Sequence, residues 1–436
     1  MDGYNGVSFL GIFLLMGLAH LIARFGFGEK QAVNRHLLAW GVGLQLIFAL
    51  FIFIVPAGVS VFQAVNGLAV KILSASAQGA QFAFGPLALP PGTQGSLGFI
   101  FAFQALPTIL FFSALVAMLY HFNILPFIIR QFARIFTRLM GISGAESLCA
   151  ASNIFVGVES AFTVKPHIDE MTPSEICTLL TAGMATVASN VLALYVFTLQ
   201  STFPAIAGHL ISASFLSAPA ALVMSKLLCP ETRRPKTLGM DVAVHYDRAS
   251  NLFEAIINGT TAGLKAIFSI VALLIAVLGL VALADLALAE AADWINGWLG
   301  SSMEWSLRAI LGYLFYPLAL VIGIPVEDAG RVAQIIGERL VLTEVASYQD
   351  LARAIADGAF VHGRSAVVTA YALCGFAHLA SMAIFVGGLA ALAPDRTADI
   401  SRMGIRALLA STFACLMTAC VAGTFYTAKG MVLVGG

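Results

Sequence analysis

Charge is what this sequence has least of. Only 11% of its 436 residues are charged, 23 basic against 23 acidic, while 59% are hydrophobic and the mean hydropathy is +0.92. Soluble domains carry about 25% charged residues. A soluble core cannot hide this much apolar surface, so the solvent that fits is lipid. With no net charge there is no global pull toward nucleic acid, and none is expected as a partner. Cysteine is sparse and scattered: Cys149, Cys177, Cys229, Cys374, Cys415 and Cys420 sit singly in apolar surroundings, with no C-x-x-C pair. Neither a disulfide framework nor a metal cluster follows from that spacing. There is no H-E-x-x-H and no G-x-S-x-G, and Ser147 or Ser381 with His378 shows no hydrolase spacing, so no enzyme is expected. The apolar run at 9–23 lacks a basic leader and a small-residue cleavage site, and reads as a first span rather than a signal peptide.

What the chain does have is long hydrophobic runs. A bilayer core about 30 Å thick needs roughly 20 apolar residues per helix. Eight spans fit, near 7–23, 38–60, 98–122, 174–200, 204–228, 252–288, 364–392 and 404–428. Two further stretches, 144–165 and 328–348, are apolar but interrupted by glycine and polar residues, and read as re-entrant hairpins. Such backbone is tolerated at membrane depth only where protein or a water-filled cavity surrounds it. Arginine and lysine cluster after spans one, three, five and seven, which places all four clusters on one side if 305–324 stays peripheral. Arg331, Arg339, Arg353 and Arg364 run against this scheme.

A heptapeptide is written twice: GMATVAS at 183–189 and GFAHLAS at 375–381. Each copy follows one hairpin and precedes another span, so 128–228 and 300–430 are candidate halves of an inverted repeat. Inverted repeats with discontinuous helices are a transporter architecture, with the site at mid-membrane between the halves. Chance recurrence of small residues, or close helix packing, is the plainer explanation of the heptads. The hairpins also carry Asn153, Glu159 and Glu344 near their middles. A carboxylate in hydrocarbon costs several kcal/mol unless paired or hydrated, so two of them suggest a shared polar cavity able to accept hydrogen bonds from solute hydroxyls. For Glu146 and Glu338 simple ion pairing is the better expectation. A channel lined by these carboxylates is the competing class, but interrupted hairpins in a repeat suit alternating access better.

Several long motifs in order carry a resemblance: FIFAFQALPTILFFSALVAMLYHF (99–122), GAESLCAASNIFVG (144–157), KPHIDEMTPSE (165–175), YALCGFAHLASMAIFVGGLAALAP (371–394) and RMGIRAL (402–408). On these the chain resembles the concentrative nucleoside transporter family, in its bacterial members, along nearly its whole length. The resemblance implies an all-α polytopic membrane protein of about eight transmembrane helices plus two re-entrant hairpins, assembled as a homotrimer in the inner (plasma) membrane. It implies import of nucleoside, or alternatively of a related polar solute on the same fold, driven by a cation gradient. The expected division is scaffold spans 1–127, a first transport half 128–228, a loop and scaffold span 229–299, and a second transport half 300–430.

The resemblance also implies site residues. The sodium ligands would be Asn153, Val156, Thr186 and Val187, with Thr186 keeping the hydroxyl that is serine in related members. The substrate would meet Val158, Glu159, Val191, Thr343, Glu344, Phe376, His378 and Ser381. Here the chain departs from the family: the G-Q-T-E of the first hairpin shortens to Gly157-Val158-Glu159, and the asparagine of G-F-A-N becomes His378. The ribose-facing groups are thus kept in part, while the amide that reads the base is gone. His378 can donate and accept, and imidazole is the side-chain type able to carry a proton in the physiological range, which leaves H⁺ as the alternative coupling ion to Na⁺.

Overall fold

In the computed structural model the structure describes residues 3–31, 33–90, 93–299 and 305–427, with the side chains of 158, 159, 293–295, 298 and 299 outside that description. The described chain is helical, without a named strand. In order, the helices are α1 (Gly3–Leu21), α2 (Arg35–Phe53), α3 (Pro56–Phe84), α4 (Phe101–Gln104), α5 (Pro107–His121), α6 (Ile124–Met140) and α7 (Gly144–Asn153). A 3-10 helix, Val158–Glu170, precedes α8 (Pro173–Ala185), α9 (Ser189–Leu199), α10 (Ile206–Leu228) and α11 (Leu252–Leu299). Then come α12 (Leu307–Val321), α13 (Val326–Arg339), α14 (Glu344–Ala356), α15 (Gly363–Ala372), α16 (Leu379–Leu392) and α17 (Thr397–Thr424).

Eight stretches among the described residues are long and apolar enough to cross a membrane; seven correspond to expected spans and one does not. The expected span 38–60 divides at Pro56: α2 ends at Phe53, and α3 starts anew with proline in its first turn and adds a long candidate, Pro56–Ala88, that the hydropathy reading passed over. The expected span 364–392 is two short helices, α15 and α16, with a break between them. The stretch 305–324 contributes only the short α12.

The order of elements repeats. In 124–228 a helix (α6) is followed by a hairpin (α7 and the 3-10 arm), a broken helix (α8, α9) and a long helix (α10). In 307–424 the same order runs α12, α13 and α14, α15 and α16, α17. Local sequence starts these helices. Ser143 with Glu146, and Thr172 with Glu175, form reciprocal capping boxes at α7 and α8. The long helices α10 and α17 lie together at the centre with α8, almost wholly buried, whereas α11 is apolar all round and largely exposed, as a helix facing lipid is.

Basic residues of α6, α17 and the loops after α10 and α16 are tied to neighbouring segments. Arg134 pairs with Asp241 at 2.7 Å, Lys236 with Glu170 at 2.5 Å and Arg406 with Glu29 at 2.5 Å, while Arg396 donates to the carbonyl of Asp169 at 2.9 Å. Of the four discordant arginines, Arg339 and Arg364 are buried rather than at a membrane face. Arg364 spends its donors on Gly323 O, Asn5 Oδ1, Ser8 Oγ and Gly423 O, tying α1, α15 and α17 together.

Candidate functional site

The repeated heptapeptides fall on the two helix breaks. α8 stops at Ala185, Thr186 turns extended (φ −120°, ψ 163°), and α9 begins at Ser189. α15 stops at Ala372 and α16 begins at Leu379, with His378 extended (φ −144°, ψ 163°) as its N-cap. Each break is tied to the tip of its own hairpin. Ser189 donates its backbone N–H (3.2 Å) and its hydroxyl (2.6 Å) to Phe155 O, and Leu379 N–H donates to Leu340 O at 3.1 Å. The breaks also abut each other. Gly375 has φ +150°, and a methyl group added there would lie 2.9 Å from the Ala185 carbonyl oxygen, so only glycine allows the approach. Cys415 of α17 bridges them, donating to Cys374 O at 3.2 Å.

A cavity of about 230 Å³ opens beside the second break. Val191, Thr343, Glu344, Phe376, His378 and Ser381, six of the eight residues expected to meet substrate, line it. The other two, Val158 and Glu159, have side chains outside the described residues. Apolar residues of α11, among them Ile270 and Leu274, form the facing wall. The size is below the roughly 300–1,000 Å³ of pockets for drug-sized ligands, which suits one small solute.

Glu344 is the first residue of α14, and its carboxylate is held from two sides. Tyr195 Oη donates to Oε1 at 2.6 Å, and His378 Nε2 lies 2.7 Å from Oε2. The same Nε2 lies 2.7 Å from Ser381 Oγ, while the Ser381 backbone N–H donates to His378 Nδ1 at 3.2 Å. That N-capping bond assigns the lone pair to Nδ1 and the proton to Nε2. Both the serine hydroxyl and the carboxylate therefore address one ring nitrogen. A serine hydrolase needs them on opposite nitrogens, so the cluster lacks the geometry of a proton relay to a nucleophile. Tyr195 is fixed in turn by Tyr348, with ring centroids 4.6 Å apart, and Tyr348 Oη donates to Ala370 O at 3.0 Å. The Thr343 hydroxyl is buried without a hydrogen-bond partner and is available to a ligand.

The expected ion ligands gather at the first break. Asn153 closes α7, and its Nδ2 donates to Cys149 O at 3.0 Å while its Oδ1 is buried with no partner. The Thr186 hydroxyl donates back to Ala182 O at 3.0 Å, which leaves its lone pairs free. Val156 and Val187 lie in the non-helical segments on either side, beside the Ser189–Phe155 tie. An orphaned amide oxygen, a hydroxyl oxygen and backbone carbonyls at two helix C-termini are a donor set suited to a hard monovalent cation.

Glu146 and Glu338 are structural. Glu146 is ion-paired with Lys226, a lysine rather than an arginine, and Glu338 lies 3.3 Å from Arg308. Sequence reasoning missed Tyr195, Ser189 and Asn190, which lines the cavity mouth and donates to Ser113 Oγ at 3.2 Å. Asn190 directly follows the first heptapeptide and was the easiest of the three to notice.

Comparison with known proteins points one way. Residues 10–87 and 209–423 match the family profiles for the N-terminus and C-terminus of Na⁺-dependent nucleoside transporters, and residues 102–202 match a nucleoside recognition profile. The chain is 36% identical over 437 residues to solute carrier family 28 member 3 of the mouse, covering 96% of this chain and 58% of the mouse protein. It thus spans little more than half the length of that relative. An uncharacterized transporter of Haemophilus influenzae is 35% identical over 423 residues, covering 96% of this chain and 97% of its own. Among solved structures, CNTnw in an inward-facing substrate-bound state superposes with a TM-score of 0.86 at 32% identity, covering 98% of this chain and 99% of that one.

Proposed function

The chain belongs to the Na⁺-dependent nucleoside transporter family, and on that premise we propose that it is a Na⁺-coupled symporter that imports nucleosides by alternating access. The observation that carries this reading is the buried Glu344 carboxylate, set by Tyr195 and His378 in a cavity with Phe376 on its wall. A carboxylate flanked by hydroxyls binds a ribose diol, and an aromatic ring packs on a base. Thr343, Ser381 and Val191 complete the pocket.

Sodium is favoured over the proton. The oxygens of Asn153 and Thr186 and the carbonyls of Val156 and Val187 form the ion site. Protonating His378 would cost the Ser381 N–H bond that caps α16. The proton-coupled alternative draws on the buried 2.7 Å contact of His378 with Glu344, where a carried proton would sit. The two hairpins read as re-entrant and the two halves as inverted, with 128–228 and 300–430 carrying the site past a scaffold of 1–127 and 229–299. Three copies would assemble through the scaffold in the plasma membrane.

Uptake by the purified protein in liposomes tests this, with labelled nucleosides and nucleobases under an imposed Na⁺ gradient, an H⁺ gradient or neither. Nucleoside accumulation driven by Na⁺ is expected. Accumulation driven only by H⁺ would move coupling to the His378–Glu344 pair, and flux independent of any gradient would indicate a channel.

A further inference from the structure

Arg339 is among the most buried side chains of the molecule, only 1% exposed, and it closes α13 as Asn153 closes α7. Its Nη1 donates at 2.6 Å to the carbonyl of Ala372, the last residue of α15. Among the described residues no carboxylate pairs with it; neighbouring Glu338 turns to Arg308 instead. A buried cation without a counter-carboxylate needs another source of negative potential. Here it is the carbonyl end of α15, reached from the carbonyl end of α13. The first break has the same design with a different occupant. There the carbonyl ends of α7 and α8 meet, and the side chains are neutral: Asn153, with a buried orphan oxygen, and Thr186.

We propose that Arg339 is a tethered cation standing at the second break where a mobile coupling ion stands at the first. This inference rests on the sodium reading of Asn153 and Thr186. The second break then carries its charge in every state and takes no Na⁺ of its own. Arg339 is a positioning residue: by holding the end of α15 it sets Phe376 and His378, four and six residues beyond Ala372, against the cavity.

The test is uptake as a function of Na⁺ concentration in proteoliposomes, for the parent, Arg339→Lys and Arg339→Gln, with thermal melting of each. The parent and Arg339→Lys are expected to show a Hill coefficient of about 1 for Na⁺. Arg339→Gln is expected to lose most uptake at low Na⁺ and to regain it at high Na⁺ along a steeper curve, or on addition of sub-denaturing guanidinium. An unaltered Na⁺ curve in Arg339→Gln, with no response to guanidinium, overturns the proposal. If Arg339→Gln does not fold, Arg339→Lys decides: a parent-like Na⁺ curve supports the tethered charge, and lost uptake with parent-like melting overturns it. A parent indifferent to Na⁺ defeats the sodium reading separately. Guanidinium rescue of Arg339→Gln then supports the tethered cation, and its failure contradicts it.

Discussion

Glu344 concentrates the chemistry of the site because two side chains from two elements meet on it, one of them backed by a third. Tyr195 comes from α9, His378 caps α16, and Ser381 completes the contact to the same histidine nitrogen. Hydrogen bonds to charged groups contribute about 1.5–3 kcal/mol. Tyr195→Phe removes one of them and keeps the stack on Tyr348. It is therefore expected to raise KM for nucleoside by roughly tenfold or more with little change in melting temperature; an unchanged KM would show that Glu344 needs no second support. At this scale the sequence was informative wherever a residue stood inside a recognisable motif. Glu344, Phe376, His378 and Ser381 were each nameable from their neighbours, and each lines the cavity. Tyr195 was not, because its partner lies 149 residues away and the TLLTAGMATVASNVLALYVF run gives no reason to single out one tyrosine.

The helix break is the element on which both sites depend. It exposes backbone carbonyls and amides at a depth where only protein can satisfy them. The heptapeptide encodes it twice with a small residue at the point of closest approach. At the first glycine, Gly183, an added methyl would strike the Phe385 ring; at Gly375 it would strike the end of α8. Gly375→Ala also forces an L-residue to φ +150°. That variant is expected to lose nearly all uptake and to melt several degrees lower, measured on purified protein; parent-like uptake would mean that the two breaks need not abut. The repetition was legible in the sequence, and so was its link to a broken helix. Where the breaks fall was not, since 174–200 and 364–392 are hydrophobic enough to read as single spans. α3 was missed for the opposite reason: Gln63, Asn66, Lys71 and a serine-rich end dilute its hydropathy below that of its neighbours.

At the scale of the molecule, basic residues of α6 and α17 and of the loops after α10 and α16 are tied to acidic partners and carbonyls of neighbouring segments. The clusters of basic residues were readable in the sequence, while the buried arginines confused the pattern. Arg339 and Arg364 answer to backbone carbonyls, a role that a count of charges cannot distinguish from a cytoplasmic loop. The cavity lies where the site elements face the exposed helix α11. The most direct measurement is equilibrium binding of a labelled nucleoside to the purified protein, in NaCl and in choline chloride, for the parent and Glu344→Gln. Saturable binding is predicted, strengthened by Na⁺ on the order of tenfold and lost in a folded Glu344→Gln variant. Parent-like binding by Glu344→Gln would contradict the assignment of this cavity as the nucleoside site.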